Sequence, residues 1–194
     1  MADLTTLAVV KIDAKISGVD ADRDTLLESL IDGVSAQMQD WMSREIPSAT
    51  ATDEKIDSVG EIKIQTIHYP IVTVTTLTED AVALVEDTDF EMNEEDLRRG
   101  QITRISGNNT QPWASGKRVV KITYVHGFAT VPVSLENAAT ALVVARFFET
   151  IQSGKGWRGL ASKGVDPAAS INYDKDIWTR ETIPAMAPFR RMVA

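Results

Sequence analysis

The chain has 194 residues, a net charge of −8 and a pI near 4.8, which argues against a general nucleic-acid binder because such proteins need a basic face. It contains no cysteine, which excludes disulfides, thiolate metal sites and a cysteine nucleophile. Hydrophobic residues make up 43% and charged residues 25%, as in ordinary globular proteins, and no apolar run approaches the roughly 20 residues that a membrane span needs.

Two helices are predicted near the start of the sequence. Apolar residues at helical spacing predict a short helix over residues 4–16 and a longer helix over residues 22–45, with Asp22 as its N-cap. Pro47 and the polar run SATATDE are predicted to end the second helix and to form a loop.

From Glu61 the hydrophobic period changes from helical to alternating, which predicts a β region over residues 61–126. Pro70 marks an edge or a bend in that region, since proline cannot donate to a strand ladder. The acidic clusters between the predicted strands are interpreted as solvated turns; they are Glu79-Asp80, Glu86-Asp87 and Glu94-Glu95-Asp96. The middle of the chain is therefore predicted to be an antiparallel β-meander.

The strongest pattern follows, where a strand leads through His126-Gly127 and Val131-Pro132 into an apolar helix over residues 133–151. The predicted buried face of this helix contains Leu135, Ala138, Ala139, Leu142, Val143, Phe147 and Ile151. These elements predict an α+β fold in which the N-terminal helical pair and the long C-terminal helix form a bundle, with the antiparallel β-meander between them.

Residues 153–194 are predicted to be a linker and an extended C-terminal arm, since they are rich in glycine and proline and have no single hydrophobic period. From Ile151 onward the chain carries a net charge of +3, which leaves −11 for the rest. A basic segment with scattered aromatic residues on an acidic domain is typical of an arm that lies on a partner. The alternative is that the arm folds back on its own domain.

Candidate catalytic chemistry is sparse in this sequence. The two histidines, His68 and His126, belong to no helical metal-binding pair, and no nucleophile elbow is present. The acidic run from Asp20 to Asp24 imitates an EF-hand loop, but Thr25 and Ile31 replace the glycine and glutamate that such a loop needs. The sequence therefore predicts no catalytic residue, no cofactor-binding residue and no metal site.

Four segments in a fixed order nevertheless resemble a known family. They are the helical pair LTTLAVVKIDAKISGVDADRDTLLESLIDGVSAQMQDWMSREI, the proline-containing strand IQTIHYPIVTVTTL, the segment DTDFEMNEEDLRRGQITRI, and the strand–turn–helix VVKITYVHGFATVPVSLENAATALVVARFFE. Over roughly residues 4–151 the chain resembles the small head–tail connector (adaptor) proteins of long-tailed double-stranded DNA phages.

The resemblance implies a connector domain over residues 1–152 and a structural role rather than an enzymatic one. Copies of the chain would form a closed ring beneath the portal, of about twelve subunits by symmetry matching, which joins capsid to tail and continues the DNA channel. The implied partners are the portal protein and a tail-side stopper or tail-terminator protein, and DNA passes without specific binding. The implied location is the virion neck, assembled in the host cytoplasm.

The resemblance also implies where two kinds of surface lie. The C-terminal arm would dock on the portal, with Trp178 and Phe189 as anchors and Arg180, Arg190 and Arg191 as charged contacts, because aromatic residues and arginine dominate binding hot spots. An acidic channel wall would repel DNA phosphates, and the candidates for that wall are Glu86, Asp87, Glu94 and Glu95.

Two alternatives remain at this point. A stopper or tail-completion protein of the same neck is the nearest one, although such chains tend to be smaller β-barrels without two long apolar helices. The other is a small-ligand-binding or enzymatic α+β domain, which predicts a closed pocket with converging polar groups.

Overall fold

A computed structural model describes residues 3–153, 162–163, 171–172 and 177–190 of the chain. The chain divides into two compact units: a helical unit of Met1–Arg44 with Val131–Ala194, and a β unit of Glu45–Thr130. Within the described residues, no helix combines the length and the apolar character needed to cross a membrane.

The described helices are α1 (Leu7–Asp13), α2 (Ala21–Met42), α3 (Glu94–Arg99), α4 (Val133–Ser153) and α5 (Ile183–Met186). The described strands are β1 (Ala49–Ser58), β2 (Lys63–Gln65), β3 (Ile71–Glu79), β4 (Val82–Ala83), β5 (Phe90–Glu91), β6 (Gln101–Ser106), β7 (Asn109–Thr110), β8 (Gly116–His126), β9 (Ser162–Lys163) and β10 (Ile171–Asn172). The predicted α+β class, with N-terminal helices and a C-terminal helix, is confirmed.

Side-chain caps set the starts of the two N-terminal helices. The Thr6 hydroxyl accepts a hydrogen bond from the Val9 amide at the start of α1. The N-cap of α2 is Asp20, which accepts from the Arg23 amide at 3.1 Å; the prediction that Asp22 would cap this helix is therefore wrong by two positions. Asp22 instead lies in the first turn, where a negative charge is favourable near the positive end of the helix dipole.

The core of the helical unit forms from one face of α2 and one face of α4. The buried apolar residues of α2 are Leu27, Ile31, Val34, Met38 and Met42, and those of α4 are Leu135, Ala138, Ala139, Leu142, Val143 and Phe147. The predicted face of α4 is confirmed in these positions, but Ile151 is 41% exposed and lies outside the core. Buried hydroxyls also take part, since those of Thr5 and Thr140 are hydrogen bonded at 2.8 Å.

The described end of the chain belongs to the same unit and is helical, which differs from the extended conformation expected there. Trp178–Thr182 forms a π-helical turn that leads into α5, and Ala187–Phe189 forms a 3-10 turn. Thr182 and Met186 are fully buried within this segment. Apolar burial explains the helical conformation, because it compensates for the ordering of a short segment that has little helix propensity of its own.

The β unit contains two small antiparallel sheets. One has the strand order β1-β8-β3-β4, and the other has the order β2-β6-β5 with β7 also paired to β6. All strand pairs are antiparallel, as expected. However, three pairs join strands that are not consecutive in sequence, namely β1 with β8, β3 with β8 and β2 with β6, so the connections differ from those of a simple meander. The long strand β8 is the centre of the first sheet because β1 and β3 pair with its two edges.

Side chains between the strands form a continuous apolar core of the β unit, which consists of Ile64, Ile71, Leu77, Phe90, Ile102, Trp113, Val119, Val120, Ile122 and Tyr124. Two local predictions in this unit are wrong. Most of the SATATDE run is strand β1 rather than a loop, because Thr50, Ala51 and Glu54 pair with β8. The acidic cluster at residues 94–96 opens helix α3 rather than a turn, because the Asn93 side chain caps the Asp96 amide at 2.8 Å.

Candidate functional site

The four acids predicted to face a channel are all exposed on the β unit. Glu86 and Asp87 lie between β4 and β5, and Glu94 and Glu95 lie in the first turn of α3. Within the part of the chain that the structure describes, Glu95 is the one member of the four with an ion-pair partner: its carboxylate contacts Arg99 at 2.6 Å, and both side chains are well exposed. The negative charges of these side chains are therefore exposed at the surface. That they face a DNA channel in an assembly stays a prediction.

Two neighbouring acids that were predicted to lie in solvated turns are instead buried and form ion pairs within the β unit. Asp96 is 3% exposed and accepts from Lys63 Nζ at 2.6 Å. Glu79 contacts Arg104 at 2.9 Å, and both of these side chains are largely buried. The solvated interpretation is wrong for these two residues, because each carboxylate neutralises a cation and fixes one element against another.

The residues predicted to bind the portal are only partly available in this conformation. The Arg190 guanidinium lies 4.8 Å from the centre of the Trp41 ring, and Arg44 donates to the Phe189 carbonyl at 3.3 Å. Trp178 is half-buried, whereas Arg180 is exposed. Arg191 lies outside the described residues. The described arm thus contacts the end of α2 in its own unit, and its role in portal binding stays a prediction.

The two histidines of the chain meet in the β unit. The rings of His68 and His126 stack with centroids 4.3 Å apart and an interplanar angle of 13°. The carboxylate of Glu45 lies beside them: one ligand atom from each of Glu45, His68 and His126 lies within 4.8 Å of the others. His126 is 2% exposed, whereas the other two side chains are half-buried.

A tyrosine network borders this histidine pair. The Tyr124 hydroxyl donates to Glu54 at 2.6 Å and accepts from the His68 amide at 3.1 Å, while the tilted Tyr124 ring lies 5.8 Å from the ring of His126. The other Glu54 oxygen accepts from the Ile67 amide at 2.8 Å. Burial, together with the adjacent carboxylate, raises the pKa of the Tyr124 phenol well above its usual value. The hydroxyl therefore stays protonated and holds the segment before β3 in place.

Sequence reasoning did not find this cluster. Its residues come from three separate stretches of the chain, so they show none of the close spacings by which metal or catalytic motifs are recognised. The one available signal was that His68 and His126 both lie beside predicted strands, which can bring distant residues to one end of a sheet.

Comparison with known proteins gives a likeness in fold but not in sequence. Neither any protein-family model nor any curated protein matches the chain. Among solved structures, a chain from the neck of an empty GTA particle, computed with C6 symmetry, aligns with a TM-score of 0.58 and 16% identity over 98% of this chain and 91% of that one. A chain from the virion of a native gene transfer agent (GTA) particle aligns with a TM-score of 0.51 and 15% identity over 100% and 96%.

A third chain, from the neck of the native GTA particle computed with C12 symmetry, aligns at a TM-score of 0.48 and 15% identity over 100% of this chain and 96% of that one. Because the first two alignments span nearly the whole of both chains, they match both units rather than one. The fold implied by the resemblance to head–tail connector proteins is confirmed: this chain has the fold of a chain found in the neck of a phage-like gene transfer agent particle.

Proposed function

We propose that this chain is a structural protein of the neck of a phage-like particle, where copies form a ring beneath the portal, join the capsid to the tail and continue the DNA channel. The observation that carries this proposal is the likeness in fold to a neck chain over 98% of one chain and 91% of the other. In this role the protein acts through surfaces that fit its neighbours, and no reaction is assigned to it.

A closed ring needs a heterologous interface, in which one face of a subunit meets a different face of the next. The neighbouring neck structure was computed with C6 symmetry, which a ring of six or of twelve copies satisfies. Apolar side chains are available for such contacts on the β unit, where Val72, Val82 and Val85 are 50%, 64% and 61% exposed. Single exposed apolar residues are common on protein surfaces, so these three would contribute to assembly only where the ring contact covers them.

The portal contact is assigned to the C-terminal segment, with Trp178, Arg180, Phe189, Arg190 and Arg191 as its candidate residues. This segment carries aromatic and arginine side chains, which are common in binding hot spots. Its net positive charge would attract it to an acidic surface of the partner. Contact of Arg190 with a portal would compete with its stacking on Trp41, so binding through this residue requires the segment to move.

The channel contact is assigned to Glu86, Asp87, Glu94 and Glu95, which are exposed on one unit of an acidic chain. Like charges on the wall and on the DNA backbone repel, so the genome would pass without being retained. On the opposite side of the ring we expect a tail-side stopper or tail-terminator protein. We place the assembled protein in the virion neck and its assembly in the host cytoplasm.

The mass of the purified chain tests the proposal, measured by light scattering alone and after mixing with the portal protein. We expect ring-sized oligomers or a complex with the portal. A chain that stays monomeric both alone and in the presence of the portal protein would contradict the assignment. A protein that binds tail components but not the portal would instead be a stopper or tail-completion protein.

Truncation after Gly156 tests the arm separately. The truncated chain should lose portal binding while still unfolding cooperatively, and its circular dichroism should lose only the helical signal of the turns over residues 178–189. Because truncation also uncovers Trp41, a full-length control with Trp178→Ala and Arg180→Ala is needed. If both variants bind the portal as the full chain does, the arm is not the docking element.

A further inference from the structure

The order of strands brings three potential metal ligands to one end of the first sheet. His126 is the last residue of the central strand β8, and it pairs with Ala49 and Ile71, which are the first residues of β1 and β3. Glu45 precedes β1 and His68 precedes β3, each by a few residues. All three side chains therefore meet where the two strands that flank β8 begin and where β8 itself ends.

Backbone hydrogen bonds hold these three segments together. The Phe128 amide donates to the Ile46 carbonyl at 2.9 Å, and the Ser48 amide donates to the Phe128 carbonyl at 3.0 Å. The Gly127 amide donates to the Pro70 carbonyl at 2.9 Å. The main chain next to each candidate ligand is thus fixed, and only the side chains need to adjust to a bound ion.

The distances between the ligand atoms are close to those that a metal requires. One ligand atom from each of Glu45, His68 and His126 lies within 4.8 Å of the other two. In a tetrahedral zinc site with bonds of about 2.1 Å, ligand atoms lie about 3.4 Å apart. His126 is buried and Glu45 and His68 are half-buried, so rotation of the two less buried side chains would close this difference.

We propose that Glu45, His68 and His126 form a binding site for a divalent transition metal of the zinc type, with a fourth position open to water. Two imidazoles and one carboxylate suit zinc, and they do not suit magnesium or calcium, which prefer all-oxygen ligands. A metal cannot lie in the planes of two parallel stacked rings, so binding turns the His68 ring out of its stack on His126.

This inference is independent of the proposed function. A bound ion would link the segment before β1, the segment before β3 and the end of β8, and would stabilise the β unit against unfolding. No chemical step is assigned to the ion, because three protein ligands alone specify no substrate.

The test uses the full-length chain without a histidine tag and zinc chloride as the probe. Since the sequence contains only two histidines, the imidazole resonances in a two-dimensional NMR spectrum report on this site without interference. We expect both sets of resonances to shift together, with saturation at one zinc per chain. We also expect a higher thermal unfolding temperature that EDTA reverses, while magnesium chloride has no effect.

Two variants and a matched control locate the site. His68→Ala and Glu45→Gln should each weaken zinc binding by at least about tenfold, since even changes around metal ligands have effects of that size. Glu91→Gln makes the same chemical change at an exposed glutamate of the same unit and should leave the affinity unchanged. His126 is left intact because its burial would make a loss of folding hard to separate from a loss of binding.

The proposal is overturned if zinc binds His68→Ala as tightly as it binds the unmodified chain, or if the control loses affinity to the same degree as Glu45→Gln. If His68→Ala fails to fold, the NMR titration of the unmodified chain decides alone. A spectrum in which only one histidine shifts, or neither, rules the site out.

Discussion

Arg104 on β6 donates through Nε to a carboxylate oxygen of Glu79 on β3 at 2.9 Å, so an ion pair joins the two sheets of the β unit. The two side chains are only 11% and 13% exposed. Each ion has further partners: Glu79 accepts from the Ala114 amide at 2.7 Å, and Arg104 donates to the carbonyl of Ile105 at 2.6 Å. Such complete hydrogen bonding is what allows two charges to be buried without a large net cost.

The first prediction concerns the removal of one member of this pair. Glu79→Ala should lower the free energy of unfolding by roughly 3 kcal/mol, because it leaves the buried guanidinium of Arg104 without its main counter-charge. Urea unfolding followed by circular dichroism measures the change. A loss of this size would show that the guanidinium of Arg104 stays buried and depends on Glu79 as its partner.

An exposed pair in the same unit supplies the control. Glu95 and Arg99 lie 2.6 Å apart, slightly closer than the 2.9 Å between Glu79 and Arg104, but their side chains are 69% and 63% exposed. Glu95→Ala should therefore change the free energy of unfolding by no more than about 0.5 kcal/mol, since water screens the interaction. Equal losses in the two variants would contradict the importance given to burial.

The second prediction follows from the raised pKa of Tyr124. Above about pH 10 tyrosines of the unfolded chain ionise while buried Tyr124 stays neutral, so unfolding releases a proton and stability falls as the pH rises. In Tyr124→Phe this part of the alkaline loss should disappear, although stability at neutral pH falls because Glu54 and the His68 amide lose their shared partner. Unfolding free energies measured between about pH 8 and about pH 11 test this.

If this explanation holds, the free energy of unfolding falls less steeply with rising alkaline pH in Tyr124→Phe than in the unmodified chain. Parallel pH profiles for Tyr124→Phe and the unmodified chain would mean that Tyr124 ionises normally in the folded state. An ultraviolet absorbance titration offers a second check, because the Tyr124→Phe variant should lack a tyrosine that in the unmodified folded chain does not ionise until the protein unfolds.

The third prediction compares two glycines with opposite roles. Gly127 has a φ of +88°, and a Cβ there would lie 2.5 Å from the Pro47 carbonyl oxygen and 2.9 Å from that of Ile46. Gly127→Ala should therefore be strongly destabilising, because backbone atoms cannot yield as a side chain can. Gly33 lies within α2 with open space around it, so Gly33→Ala should stabilise the chain by roughly 0.5–1 kcal/mol.

Thermal unfolding of the two glycine variants tests both predictions: the unfolding temperature should fall in Gly127→Ala and rise in Gly33→Ala. A Gly127→Ala protein as stable as the unmodified chain would mean that the turn after β8 differs from the one described. Because this turn lies directly after His126, its loss should also disturb the stacked histidine pair.

The main helices were predictable from the sequence because their apolar residues repeat at helical spacing over many turns. The start of α4 was predicted at the right residue and the start of α2 within one residue, whereas α1 is shorter than predicted. Strand β1 was missed because its sequence is polar, and only pairing with β8 makes Ala49–Ser58 a strand. That pairing joins residues far apart in the chain, and a local pattern carries no information about it.

The candidate sites were predictable only where they depend on local sequence and not on contacts between distant residues. Exposure of Glu86, Asp87, Glu94 and Glu95 agrees with their placement in solvated segments. The cluster of Glu45, His68 and His126 was not predictable, since it depends on which strands are neighbours. Nor could the sequence foresee that Arg190 would lie over Trp41, which required the fold of the helical unit.

The last prediction tests the acidic channel surface. Glu86→Gln, Asp87→Asn, Glu94→Gln and Glu95→Gln together should increase the retention of duplex DNA by the assembled protein at low salt, because they remove the charges proposed to repel phosphates. Co-sedimentation measures retention, and the difference should shrink as salt screens the field. A control makes the same charge change on exposed acids of the helical unit, namely Asp13, Glu28, Asp40 and Glu149. If the control retains as much DNA, net charge alone acts and the four acids do not mark the channel.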